Sequence, residues 1–336
     1  MLSFPFDLYL GGFLVSLGFA LVAVPIWKKL CTSFNLIDDP GHRKIHSVPT
    51  PLAGGPGVFS AMVATLFLGA GVFLIFPSVV RSDSTLVAGS ALLHGINRRT
   101  PQLLVLLMGS CGMLLLGLFD DRFELPARWK FLGQLLIAGL TAAAGLRITL
   151  FVPNLFFSYA ITILWVLTVT NALNFLDNMN GLCTGIGIIV AWACAWLAAV
   201  HGQYLVAFIA FTAAGSLLGF LPYNFPKASA FLGDAGSHLV GYWCAVLTIL
   251  PNYYPTTGTR LEKWVVLIPL LLLAVPLLDL VYVVALRWRI GQPVYLGDTN
   301  HISHRLVRRG YSRSHAVLLI LLTTAIACFL AVWAVA

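Results

Sequence analysis

The stretch LYLGGFLVSLGFALVAVPIW, residues 8–27, holds no charged side chain over its 20 residues and is followed at once by Lys28 and Lys29. As a helix it rises about 30 Å, the thickness of a bilayer's hydrocarbon core. The rest of the chain repeats this pattern: 59% of the 336 residues are hydrophobic and 10% charged, against about 25% charged in soluble domains. A soluble globular protein is excluded. Apolar runs near 8–27, 54–77, 102–119, 131–149, 156–172, 183–200, 204–221, 238–253, 264–283 and 317–335 predict an all-α, polytopic membrane protein with about ten transmembrane helices. With no internal repeat or soluble appendage, residues 1–336 read as a single membrane-embedded domain.

No Lys or Arg precedes the first run, so the positive-inside rule places the N-terminus outside and predicts no cleaved signal peptide. Alternation makes 28–52, 120–130, 173–182, 222–237 and 284–316 cytoplasmic, and they hold 14 of the 20 Lys and Arg residues. The net charge of +8 follows from topology, and no nucleic-acid partner is expected. Six scattered cysteines, with no CxxC, imply neither a disulfide framework nor a zinc site.

Acidic residues gather on the same face, which orientation signals do not explain. Eight of the 12 lie in those segments: Asp38, Asp39, Asp120, Asp121, Glu124, Asp177, Asp234 and Asp298, with Asp279 near the cytoplasmic end of a run. Asp120-Asp121, in GLFDDRFELPARWK, sets two repelling carboxylates at a membrane surface, where they recruit a cation or share a proton. Mg²⁺ suits one or two carboxylates completed by substrate phosphates and water, with Mn²⁺ the alternative ion. Lys130 stands where the next helix would start, placed for a phosphate contact or as an interface anchor.

In NALNFLDNMNGL, Asn171, Asn174, Asp177 and Asn180 recur every three residues, so a helix would line one face with amide and carboxylate oxygens. Such a stripe entering a membrane calls for a metal, a ligand or polar neighbours. Gly233-Asp234-Ala235-Gly236-Ser237 opens another run with a carboxylate for a divalent ion and small residues for close phosphate approach, or forms an ordinary capping turn. His301 and His304, three apart, with Arg305 beside them, suit a pyrophosphate substrate bridged by Mg²⁺; no Cys or acid at suitable spacing completes a zinc set. Arg43, Lys44 and His46 precede a Pro- and Gly-rich turn that could close over a phosphate or be a linker. Together these features describe a site at the cytoplasmic lipid boundary for a soluble phosphorylated donor and a lipid phosphate acceptor.

Five motifs in order, RKxHxxPxPxxGG from Arg43, GxxDDxxxLxxxxKxxxQ from Gly117, NALNFLDNMNGL from Asn171, FLGDAGS from Phe231 and HISHRL from His301, resemble the polyprenyl-phosphate N-acetylhexosamine-1-phosphate transferases. The likeness is to the bacterial undecaprenyl-phosphate N-acetylglucosamine-1-phosphate transferase branch. The peptidoglycan branch usually shows PTMGG and a longer His run, where this chain has PTPLAGG and HISH.

The resemblance implies Mg²⁺-dependent transfer of a sugar 1-phosphate from a UDP-N-acetylhexosamine to undecaprenyl phosphate, starting cell-envelope polysaccharide synthesis in the bacterial inner membrane. It implies catalytic roles for Asp120 and Asp121, and metal ligation by Asp234 with Asn174 or Asp177. Phe231 would pack on uracil, Asn180, Gly181 and Leu182 would edge the nucleoside pocket with Asn224 nearby, and Lys44, His46, Lys130, His301, His304 and Arg305 would meet the donor's phosphates or sugar. Many bacterial members carry Asp in place of Asn180 and His in place of Ser303, departures that imply altered donor recognition. The oligomeric state stays open, with a homodimer one reading. A non-catalytic nucleotide-sugar-binding relative and a transporter of phosphorylated anions are the competing classes. Transport would favour mid-span charges, and these runs are nearly free of them.

Overall fold

A computed structural model describes residues 5–39, 48–75, 86–150, 152–251, 263–293 and 299–335. Twelve helices dominate them: α1 (Phe6–Ser33), α2 (Gly54–Ile75), α3 (Leu86–Phe123), α4 (Ala127–Ala143), α5 (Leu155–Leu176), α6 (Leu182–Val200), α7 (Tyr204–Asn224), α8 (Gly233–Leu247), α9 (Ile268–Leu272), α10 (Ala274–Arg289), α11 (Ile302–Arg308) and α12 (Arg313–Trp333). Two short strands, β1 (Ile37–Asp38) and β2 (Thr50–Pro51), pair antiparallel with Ile37 opposite Pro51.

A helix lies at each of the ten expected spans. Seven are long and apolar enough to cross a membrane, and the bent stretch Trp264–Arg289 makes an eighth if it is one span. The expected count of ten is not reached by this criterion because α4 has 17 residues and α8 has 15. The protein is a multi-pass, nearly all-helical membrane protein.

Two element boundaries depart from hydropathy. Helix α3 continues back to Leu86 through Asn97-Arg98-Arg99, in a stretch, 78–101, that the sequence leaves open between an outer loop and an interfacial helix. The run 264–283 breaks at Leu273, where the flanking helices meet at 76°. Pro276 has no N–H to give the carbonyl of Leu272, and the Cys328 thiol donates to that oxygen at 3.5 Å instead.

The axis of the fold is α8. Every residue from Ala235 to Leu247 is buried, enclosed by α2, α3, α5 and α6. In lipid, helix association relies on close packing rather than on water exclusion, so small residues mark the contacts. A side chain at Gly117 would stand 2.3 Å from the Ala235 backbone, and one at Gly241 would stand 2.6 Å from that of Thr170. On α7, Gly215 and Gly219 admit the Phe13 and Leu17 carbonyls of α1 in the same way.

The glycines of the first-loop motif serve this packing. Gly54 and Gly55 donate their N–H groups to the carbonyls of Phe231 and Leu232 at 2.9 and 3.2 Å, which seats the start of α2 against the start of α8. The motif's Gly-Gly pair is therefore helix-start structure and not a free turn. Its basic half, Arg43, Lys44 and His46, lies outside the described residues.

Candidate active site

The C-terminal ends of α3 and α5 and the N-terminal ends of α4 and α8 meet at one end of the bundle. Helix α3 delivers Asp120 and Asp121 side by side, and a helix places consecutive residues on different faces. Asp121 points to α8: its Oδ1 accepts from the N–H of Asp234 at 2.8 Å and its Oδ2 from that of Ala235 at 3.1 Å. It thereby caps two of the donors that a helix start leaves open. Gly233 lies directly over this carboxylate, with φ +72° and room for no Cβ, which would sit 2.7 Å from Asp121 Oδ2.

Asp120, buried at 7% exposure, turns the other way. Its Oδ1 accepts from the Leu125 N–H at 2.9 Å, and its Oδ2 meets the ammonium of Lys130. The same ammonium bonds Asp234 Oδ2 at 3.0 Å. Asn174 supports Asp234 from behind, donating to its Oδ1 at 2.7 Å and to Ser237 Oγ at 2.8 Å. One turn deeper, Asn171 donates to Gln134 Oε1 at 2.7 Å.

Lys130 thus stands between two carboxylates from distant parts of the chain. Burial opposes its charge, but Asp234 and Asp120 outweigh that and hold the ammonium above its ordinary value. Burial also opposes ionisation of Asp234, yet its hydrogen bonding with Asp120 and the Lys130 charge keep it well below the usual carboxylate range. Asp177 goes the opposite way, raised well above its usual value by burial and then by Asp234 and Asp121.

The stripe of Asn171, Asn174, Asp177 and Asn180 is not one helix face. Helix α5 ends at Leu176, Asp177 is its C-cap, and Asn180 lies in the turn beyond. Asn178 closes the helix by donating to the Phe175 carbonyl at 2.9 Å, and Gly181, at φ +76°, turns the chain into α6. A Cβ at Gly181 would press on Phe225 at 2.8 Å. Asn224 ties this turn to the next segment: its Oδ1 accepts from the Gly181 N–H at 2.7 Å, and its Nδ2 donates to the Ala230 carbonyl at 3.1 Å. Asn180 donates to the Pro226 carbonyl at 3.2 Å, Leu182 is fully buried, and Phe231 is half-buried.

The His and Arg segment forms α11. His301 is its N-cap and is buried. His304 is half-buried, and the Arg305 guanidinium lies 4.2 Å from the centroid of the Tyr282 ring. Ser303 is fully buried and donates to Asn178 Oδ1 at 2.7 Å, binding α11 to the turn after α5.

The donor set suits a hard divalent ion. Asp120 Oδ2 and Asp234 Oδ2 already converge on a cation, the Lys130 ammonium. Among the described residues no three His, Cys, Asp or Glu side chains form a metal cage.

Over 318 residues the chain is 31% identical to a protein of Bacillus subtilis named a probable undecaprenyl-phosphate N-acetylglucosaminyl 1-phosphate transferase, covering 92% of this chain and 80% of that one. The chain belongs to the polyprenyl-phosphate N-acetylhexosamine-1-phosphate transferase family. Residues 103–252 also match the family model described as glycosyl transferase family 4. A decaprenyl-phosphate N-acetylglucosaminephosphotransferase of Mycobacterium leprae is 33% identical, covering 86% of this chain and 74% of that one. An undecaprenyl-phosphate alpha-N-acetylglucosaminyl 1-phosphate transferase of Yersinia pestis is 26% identical, covering 95% and 81%. As a member of this family the protein is a glycosyl-1-phosphate transferase.

Sequence reasoning found the acids and Lys130 but missed the group behind α11. Asp279, noted only as an acid near a span end, is buried and bonds both the His301 ring and the Ile302 N–H. Arg287 is fully buried with its guanidinium 5.2 Å from the Phe175 ring centroid. The signal available for both was a charge on an otherwise apolar helix.

Proposed function

We propose that the protein transfers N-acetylhexosamine 1-phosphate, with N-acetylglucosamine 1-phosphate the first choice, from a UDP-sugar to undecaprenyl phosphate, with Mg²⁺ as cofactor. The site faces the cytoplasm of a bacterial inner membrane, with the N-terminus outside. The observation that carries this reading is the convergence of Asp120, Asp121, Asp234 and Lys130 at one end of a membrane bundle, in a chain of this family.

The reaction requires positioning and charge balance more than covalent participation by the protein. An oxygen of the lipid phosphate attacks the β-phosphorus of the donor. The bond from that phosphorus to the bridging oxygen breaks, and UMP leaves with the electron pair. Asp234, with Asn174 or Asp177, would hold Mg²⁺, which when bound would supply positive charge against the charge of the leaving group. Asp121, accepting from the Asp234 and Ala235 N–H groups, sets the direction of Asp234. Lys130, once a diphosphate enters, has an anion to exchange for its carboxylates. Asn180, Gly181 and Asn224 line the side where a nucleoside would lie, with Phe231 available to stack on its base. Asn180 in place of Asp keeps a hydrogen-bonding side chain there without a charge.

The test is an assay of purified protein with undecaprenyl phosphate, offering UDP-N-acetylglucosamine, UDP-N-acetylgalactosamine and related donors in parallel, with Mg²⁺ and with a chelator. UMP release with lipid-linked product, lost on chelation and restored by Mg²⁺, is expected. Silence with all donors from folded protein would refute the reading. For sidedness, a cysteine replacing Asn178 should react with an impermeant reagent only from the cytoplasm, and labelling from outside would reverse the topology.

A further inference from the structure

Asp279 stands outside the five motifs, on α10, with 6% exposure. Its carboxylate is spent on α11: Oδ1 accepts from the Ile302 N–H at 2.7 Å, and Oδ2 meets His301 Nδ1 at 2.6 Å. Where that carboxylate is ionised it only accepts, and the imidazole presents its Nδ1 hydrogen to it. Among the described residues the imidazole's hydrogen bond is made through Nδ1. The Phe175 ring meets the imidazole edge-on, with centroids 6.0 Å apart. The Ser303–Asn178 bond then fastens the next turn of α11 to the residue beside Asp177. Among the described residues, ring plane, ring flip and helix start are therefore set by groups behind the imidazole, on its Nδ1 side.

We propose that Asp279 is the positioning residue of His301: it holds the ring hydrogen on Nδ1 and leaves Nε2 as a hydrogen-bond acceptor for the sugar of the donor. This rests on the reading above in which His301 meets the donor, and deepens it. A lone pair at Nε2 matches a hydroxyl or acetamide N–H of an N-acetylhexosamine and does not match a phosphate oxygen. His301 is then a sugar contact, and the phosphates fall to Lys130 and the basic residues.

Asp279→Asn keeps an acceptor for Ile302 but turns an NH₂ toward the ring, which moves the ring hydrogen to Nε2. Its kcat/KM for the UDP-sugar should fall roughly tenfold to hundredfold, the scale seen when a partner orienting a histidine ligand is removed. The KM for polyprenyl phosphate should not change. In a His301→Gln background, Asp279→Asn should cost nothing further, because the two act as a unit. A full additional loss in that background, or an equal rise in both KM values, would show a merely structural carboxylate and overturn the proposal. A second measurement needs no Asp279 variant: ¹⁵N-histidine NMR of the wild-type chain in micelles, with His301 assigned by its disappearance in His301→Gln. Hydrogen on Nδ1 with Nε2 bare is expected, and hydrogen on Nε2 overturns the assignment. Wild-type protein silent with every donor would refute the transferase reading while the NMR result still decides the role of Asp279.

Discussion

Asp121 and Asp279 do the same local work in two parts of the molecule. Each carboxylate takes two hydrogen bonds from the start of a helix, Asp121 from the N–H groups of Asp234 and Ala235, and Asp279 from the Ile302 N–H and the His301 ring. The helices they fix differ. The 15 residues of α8 are enclosed on several sides, so packing alone nearly determines where they lie. The seven residues of α11 are held by side chains, those of Asp279 and Ser303 above all. A carboxylate at an already fixed helix start is free to tune chemistry, whereas one at a short helix has to supply the fixing. The acidic centre is the more enclosed half of the site, and the α11 arm is the half proposed here to discriminate between donors.

The strongest test of this division is Asp121→Asn. Asparagine keeps one acceptor and sets an NH₂ against a backbone N–H, which disturbs Asp234 while the packing of α8 persists. Turnover should fall roughly hundredfold to ten-thousandfold, with the thermal unfolding profile little changed. Near-normal turnover would remove the pair from the chemistry, and loss of the folded protein would show that α8 depends on its cap as much as α11 does.

Lys130→Met probes charge within the more enclosed half. Without the ammonium, Asp120 and Asp234 face one another with no counter-charge, so turnover should fall on the order of a hundredfold. Affinity for Mn²⁺, followed by its electron paramagnetic resonance signal, should rise because the ion no longer competes with a fixed cation. An unchanged Mn²⁺ affinity would mean that the ion does not use these two carboxylates.

The smallest effect belongs to Ser303→Ala. It deletes one neutral hydrogen bond, worth about 1 kcal/mol, from the arm proposed to recognise the donor. Donor KM should rise about fivefold at constant kcat. A fall in kcat with KM unchanged would place α11 in the chemical step and erase the distinction drawn between the two halves.

The legibility of the molecule in its sequence follows the same line. Uninterrupted apolar runs disclosed a helix at each of the ten expected places, and acids and amides at run ends disclosed most of the candidate site, because a polar group near lipid is costly without a partner. What escaped depends on pairings across long separations. Lys130 meets Asp234 104 residues away and Ser303 meets Asn178 125 residues away, distances on which spacing is silent. The broken stripe after α5 escaped for a local reason: Asn178 and Gly181 end the helix more strongly than the three-residue rhythm extends it. Pro276 was a visible breaker inside a run that hydropathy reads as continuous.

The backbone contact between the first-loop glycines and the start of α8 bears on how such a chain changes over time. A Cβ at Gly55 would fall 2.6 Å from the Gly236 nitrogen, and one at Gly54 would fall 2.8 Å from the Leu232 Cα. Two segments nearly 180 positions apart therefore form a single heritable part. Because the atoms met at the start of α8 are backbone, no side-chain change within FLGDAGS makes room for a Cβ at Gly54 or Gly55 there, and the two glycines are tied to the path of the chain rather than to its side chains.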